Sequence, residues 1–395
     1  MRTELYAGSP VELAPEWEDV HRADPTATPF VAPGWGLAWM RHLGRETEPW
    51  FVTVRDQDRL VGLAPLALER RRGRRIVRLV GKEPGDYWDV LALPDYRRAV
   101  VAAVASELSR RGRQWDVFHL SGQPGDYASE AISRDRSLRV LPRASIPCPG
   151  IALPDDFDDY LRMLPGSRRA NVRKHIRRLD EGKVGLRMVT DPDELEIAVR
   201  RWHELHLKRW EGLAEPINPM HPTSAFRDFM LDAMRALVPR ELATVWEFVA
   251  DGEVVGSYLN LIDDDAFYWY LGGFEPRCAA LGIGKLSIAQ GIRWSIETGR
   301  SYFDLTRGVE SFKYYFGASD RECPSVVVGN ERLRSRAAFA TDELGHRARA
   351  AARDVRARLP DRGTAKPEAG APPERRSEPA GAAPSSYRER VSVPR

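Results

Sequence analysis

Two hydrophobic periods alternate along this chain, and they do so in an order that occurs twice. Residues 51–55 alternate apolar and polar, Asp56-Gln57-Asp58 turns, and Leu60-Val61-Gly62 opens a second apolar run. Residues 246–250, Asp251-Gly252-Glu253 and Val254-Val255-Gly256 repeat that pattern, and Asp-Gly between alternating runs predicts a tight hairpin. Further on, residues 86–91 read as a strand, 99–108 as a helix and 115–120 as a strand. Their counterparts are 267–271, 286–298 and 301–305. Each half therefore predicts strand, strand, strand, helix, strand. This is an α+β (α/β) fold in tandem, each copy a mostly antiparallel mixed sheet flanked by helices. Helical spacing also marks residues 155–164, 167–182, 193–210 and 223–238.

The breaker cluster Pro147-Cys148-Pro149-Gly150 places a boundary near Gly150, giving domains 1–150 and 151–330. Beyond them, apolar residues from Leu333 to Leu359 recur at three and four, predicting a basic C-terminal helix over 331–360 that Pro360 stops. Residues 361–395 are rich in Pro, Ala, Gly, Glu, Arg and Ser and read as disordered, because they offer no core to offset ordering entropy.

Composition changes this picture in one respect. The 395 residues carry 60 basic and 57 acidic side chains, a net of +3, which argues against a protein coated in nucleic acid. Residues 331–395 hold 15 basic and 9 acidic side chains, so the body before them is mildly acidic. The tail reads as an electrostatic tether, with peripheral contact to a membrane surface as one use. Cys148, Cys278 and Cys323 are too scattered for a disulfide framework or a metal knuckle, and a reducing cytoplasm fits them. No run reaches the roughly 18 apolar residues of a membrane span.

The candidate chemistry lies in the second half. Gly272-Gly273 end a strand, Arg277 follows in a loop, and Gly282-Ile283-Gly284-Lys285 open a helix. Glycines let a ligand approach the backbone, the helix start favours an anion, and Lys285 adds a positive charge. The alternative is a tight strand-to-helix turn. A Walker loop fails because Leu286 follows the lysine, and a dinucleotide fingerprint lacks its third glycine, Ser287 standing there. The second stretch, 304–317, brings Asp304, Arg307, Glu310, Lys313 and Tyr314 to the carboxyl end of the neighbouring strand. Arg307 and Lys313 are candidates to neutralise a phosphate or an oxyanion, Asp304 or Glu310 to accept a proton, and Tyr314 or Tyr315 to donate one. The bland alternative is a surface helix with Phe312, Tyr315 and Phe316 turned inward. Seven basic residues over 167–183 (Arg168, Arg169, Arg173, Lys174, Arg177, Arg178, Lys183) make a cationic helix. It suits tRNA, a lipid-linked pyrophosphate or coenzyme A, or is simply a solvated face. His203-Glu204-Leu205-His206 misses the zincin spacing by one position, so no metal is expected.

Together the 167–174 helix, the Val255-Gly256 hairpin, Tyr268-Trp269-Tyr270-Leu271-Gly272-Gly273, the loop to Gly284 and Phe312-Lys313-Tyr314-Tyr315-Phe316 resemble the GNAT acyltransferase superfamily. The branch is the bacterial acetyltransferase-like one linked to cellulose biosynthesis and related to FemAB-type aminoacyl ligases. The resemblance covers about 155–329, the first half matching as a worn copy. It implies an N-acyltransferase that takes acetyl-CoA or another acyl-CoA, with the pyrophosphate on amides around Gly282 and Gly284, and an amine acceptor on a small molecule, sugar or envelope precursor. Ala279 stands where the usual loop has Gln or Arg, with Arg277 two residues earlier. Lys313 resembles the lysine of the FemAB-type Phe-Lys motif, so replacing it should abolish turnover at an unchanged melting temperature. The alternatives are an aminoacyl-tRNA-dependent ligase and a non-catalytic accessory protein that keeps the fold. The first copy lacks a Gly-x-Gly loop and is expected to be silent.

Overall fold

The computed structural model describes residues 1–121, 132, 134–211 and 218–358; the expected disordered tail lies outside the described residues. Fifteen strands appear among them. In the first half these are β1 (Arg2–Leu5), β2 (Thr47–Pro49), β3 (Val52–Asp56), β4 (Arg59–Ala64), β5 (Leu66–Arg71), β6 (Arg74–Leu79), β7 (Leu91–Ala92), β8 (Val117–Ser121) and β9 (Leu138–Ala152). The second half supplies β10 (Gly185–Val189), β11 (Ala243–Ala250), β12 (Glu253–Ile262), β13 (Ala266–Phe274), β14 (Tyr302–Asp304) and β15 (Ser319–Asn330). The helices are α1 (Pro10–Ala23), α2 (Pro33–His42), α3 (Arg97–Arg110), α4 (Phe157–Met163), α5 (Gly166–Asp180), α6 (Pro192–Trp210), α7 (Ser224–Leu237), α8 (Ile283–Glu297), the single turn α9 (Ser311–Tyr314) and α10 (Leu333–Arg358).

One sheet runs β10-β11-β12-β13-β14-β9-β15-β8-β6-β5-β2, and a smaller one runs β1-β3-β4-β7. All pairings between these strands are antiparallel except β13 with β14 and β6 with β8. Each parallel pair is joined by a crossover segment, α8 in one half and α3 in the other, which is the duplication expected from the sequence. The hairpin at Asp251-Gly252 forms as its residues require, with both in the left-handed region.

Two expectations change. The strand that precedes α3 and pairs with β8 is 74–79, not 86–91. Most of 86–91 is a connection tied down by side chains, and only Leu91 enters a strand. Each half has two hairpins before its crossover helix, but in the first half β7 and the connection before it stand between β6 and α3, so matching Trp88 to Trp269 misaligned the strands. Gly150, offered as a domain boundary, lies inside β9 and faces Asp304 on one side and Ser319 on the other. The halves exchange strands here: β9 pairs with β14 and β15, while β15 reaches back to β8. Residues 1–344 accordingly cluster as one compact unit.

Alternation explains where the core sits. On β12, Leu259 and Leu261 turn to a cluster shared with α6, α7 and the first half, whereas Tyr258 and Ile262 turn to a second cluster under α8 and α5. α7 packs on α2 through Trp35 against Phe229, ring centroids 4.9 Å apart, and Asp232 receives Arg41 and His42 at 2.7 and 2.8 Å.

Candidate active site

A cavity of about 390 Å³ lies between α5 and the turn that opens α8. Asn171, Lys174, His175 and Arg178 form one wall, Ala279, Ala280 and Gly282 to Lys285 form the other, and Phe274 adds the end of β13. Among the described residues no acidic side chain lines it. The turn needs its glycine: Gly282 is left-handed (φ +67) and serves as N-cap without offering a side-chain acceptor. The first amides of α8 find no carbonyl within the helix, and Gly284 and Lys285 bring that end to the cavity. Arg178 holds the turn through the Leu281 carbonyl, while His175 sits over Gly282, its Nδ1 buried without a partner. Burial, then Arg178, Lys285 and Lys174, pull the His175 imidazole down to about 4. A crowd of cations around one helix start, with no counter-charge among the described lining residues, suits an anion.

The six residues expected to bind the donor separate. Gly282, Gly284 and Lys285 line the cavity. Gly272 and Gly273 do not; they allow close packing. A Cβ on Gly273 would lie 2.2 Å from the His206 amide nitrogen of α6, and one on Gly272 would lie 2.1 Å from the Tyr258 ring. Both glycines stay paired to β12. β13 pairs with β14 only over Ala266–Tyr268, and its register with β12 shifts opposite Leu259–Leu261. The open edge therefore begins at Trp269. Arg277 is 67% exposed and bonded to Glu253 at 2.5 Å, outside the lining.

The candidates from 304–317 gather at a second place, where the halves meet. Asp304 is fully buried. It accepts from Tyr87 Oη at 2.8 and 3.0 Å, from Arg321 Nη2 at 2.7 Å and from the Thr306 amide at 2.6 Å. Burial pushes its carboxyl up to about 6 against the pull of Arg321. Arg307 pairs with Asp86 at 3.4 Å. Lys313 is 3% exposed, donating to the Arg307 carbonyl at 2.7 Å and the Thr306 carbonyl at 3.4 Å and pairing with Glu310 at 3.0 Å. Glu310 is half exposed. Tyr314 donates to Asp320 at 2.7 Å, which with some burial raises its hydroxyl to about 12.

Tyr315 joins the two places. Its hydroxyl accepts from Asn171 at 2.9 Å, and Lys285 and Arg168 sit 5.1 and 5.5 Å from its ring centre. Sequence reasoning passed over Asn171, His175, Tyr87 and Arg321 as site residues. The first two stood in a helix noted for its charge and for the family resemblance of 167–174, without either being singled out, and Tyr87 meets Asp304 from 217 positions away. Among the described residues no group of three or more His, Cys, Asp or Glu is placed to hold a metal ion, and no helix is long and apolar enough to cross a membrane.

Residues 166–314 match the acetyltransferase (GNAT) domain family. No curated protein sequence matches the chain. Among solved structures, that of FemX is similar at 9% identity with a TM-score of 0.60, over 82% of this chain and 97% of that one. The C-terminal domain of an Agrobacterium fabrum protein assigned as a lysylphosphatidylglycerol synthetase aligns at 13% identity with a TM-score of 0.52, over 85% and 98%. L-PGS from Bacillus licheniformis aligns at 12% identity with a TM-score of 0.51, over 80% and 92%. Residues 166–314, which supply the cavity, are thus a GNAT acetyltransferase-family domain, set in a chain whose fold is similar to that of FemX.

Proposed function

We propose that this protein transfers an acyl group from acyl-CoA to an amine, with the donor's pyrophosphate in the cavity between α5 and the Gly282–Lys285 turn. The observation that carries this reading is the acid-free cationic lining around the start of α8. The acyl carbonyl would lie along the open edge of β13 past Tyr268, where a strand amide without a neighbouring strand can stabilise an oxyanion. A thiolate leaves readily, its ordinary pKa being about 8.5, so the chief remaining need is an acceptor for the amine proton. Half-exposed Glu310 is better placed for that than buried Asp304, whose oxygens are already occupied.

Isothermal titration with coenzyme A tests the reading. Lys174→Met and Lys285→Met should each weaken binding about tenfold or more, the scale of a lost charge-assisted hydrogen bond. The exposed cations Arg173, Lys174 and Arg177 on α5 favour a second reading, in which the donor is an aminoacyl-tRNA. That agrees with the aminoacyl product in the name of the Agrobacterium fabrum neighbour. Tight binding of charged tRNA with no heat on coenzyme A addition would establish it over the first.

A further inference from the structure

Lys82 is a cation that closes no ion pair among the described residues, although Glu83 and Asp342 attract it from a distance. It lies three residues past the carboxyl end of β6, and Arg307 lies three past the carboxyl end of β14. Both come onto Trp88, Lys82 Nζ at 5.9 Å and the Arg307 guanidinium at 5.6 Å from ring centroids. Parallel strands joined by a crossover leave their carboxyl ends available to ligands, and here a strand from each of the two parallel pairs points its end at one indole.

The neighbouring charges are matched. Arg307 has Asp86 at 3.4 Å, Arg143 has Asp342 at 2.6 Å, Lys313 has Glu310 at 3.0 Å, and Arg78 has Glu69. Lys82 Nζ makes no hydrogen bond or ion pair among the described residues, and the adjacent Glu83 is exposed. Beside Lys82, His119 Nε2 has no hydrogen bond and faces Asp342 at 3.6 Å, and the buried Trp88 indole N–H has no acceptor among the described residues. Burial pulls the Lys82 ammonium down to about 8 and, with Lys82 as the next cause, the His119 imidazole down to about 4. The place is open to solvent, since the Arg307 and His119 side chains remain 28% and 27% exposed. Burying a cation without a partner is costly, and a bound anion removes that cost.

We propose that Lys82, Trp88 and Arg307 form a second anion site, separate from the Gly282 cavity, which takes a carboxylate or phosphate group carried by the acceptor. Assigning the anion to the acceptor rests on the acyltransfer reading; the binding of an anion does not. The chain has only seven lysines, so reductive 13C-methylation of the full-length protein gives a readable spectrum in which Lys82 is assigned by its loss in Lys82→Arg. Inorganic phosphate and succinate are then titrated at constant ionic strength. The Lys82 signal should shift saturably with one of them, and its titration midpoint should rise by about one pH unit or more. A response to phosphate alone assigns a phosphorylated acceptor, and a response to succinate alone a carboxylated one. If Lys82 is unmoved by both while Lys285 responds to phosphate, the second site is overturned and the Gly282 cavity stands. If Lys82 responds and Lys285 does not, the second site stands and the donor reading loses its support.

Discussion

Lys313 shows how burial alters the meaning of a residue picked from a motif. As a catalytic cation it would be dispensable to the fold, yet its ammonium serves the Thr306 and Arg307 carbonyls and Glu310 in a nearly closed position. Removing a donor from buried acceptors costs about 1–3 kcal/mol. Lys313→Met should therefore lower stability by that amount in chemical denaturation, besides any effect on turnover, in contrast to the unchanged melting temperature expected from the sequence. Its influence on the site runs through the 306–310 connection, whose Arg307 faces Asp86 and Trp88. Asp304 is similar. It is an acid at a strand end, where a catalytic group was expected, but it holds Tyr87 and Arg321 across the junction of the halves.

At the scale of elements, the contact between α6 and β13 sets the cleft. His206 donates Nδ1–H to the Gly272 carbonyl at 3.0 Å, which leaves Nε2 to accept from His221 Nδ1–H, also at 3.0 Å. His206 must be neutral for its Nε2 to accept, and burial pulls the two imidazoles down to about 3 and about 4. In the unfolded chain each titrates near 6.5, so as pH falls below that value the unfolded state takes up protons the native state refuses. Stability is thus full above about 6.5 and is lost progressively toward pH 4. His206→Gln should flatten this acid slope, read as the change in denaturation midpoint between pH 7 and pH 4.5. An unchanged slope would show that His206 does not couple folding to protonation. Gly273 belongs to the same contact, since α6 can approach β13 only where no Cβ intervenes.

At the scale of the molecule, the exchange of β9 and β15 makes each half depend on the other. β14 finds its outer partner in β9, and β8 finds its own in β15. Fragments 1–150 and 151–395 expressed separately should therefore show little protected backbone by hydrogen exchange, with protection returning on mixing. Stable folding of either alone would show that the swapped strands are not required. The sequence revealed the hairpins, the crossover helices, the duplication and the Gly282–Lys285 strand-to-helix turn, because each depends on residues close together in the chain. It did not reveal that the Gly150 position runs through a strand, because Pro and Gly mark breaks locally and say nothing of a long strand's partners. It also did not show that Lys174 and His175 face Gly282, or that Lys82, Trp88 and Arg307 meet. Local periodicity sets which segments become strand or helix; the burial and pairing of side chains far apart in sequence are fixed only when the sheet closes and the two halves pack.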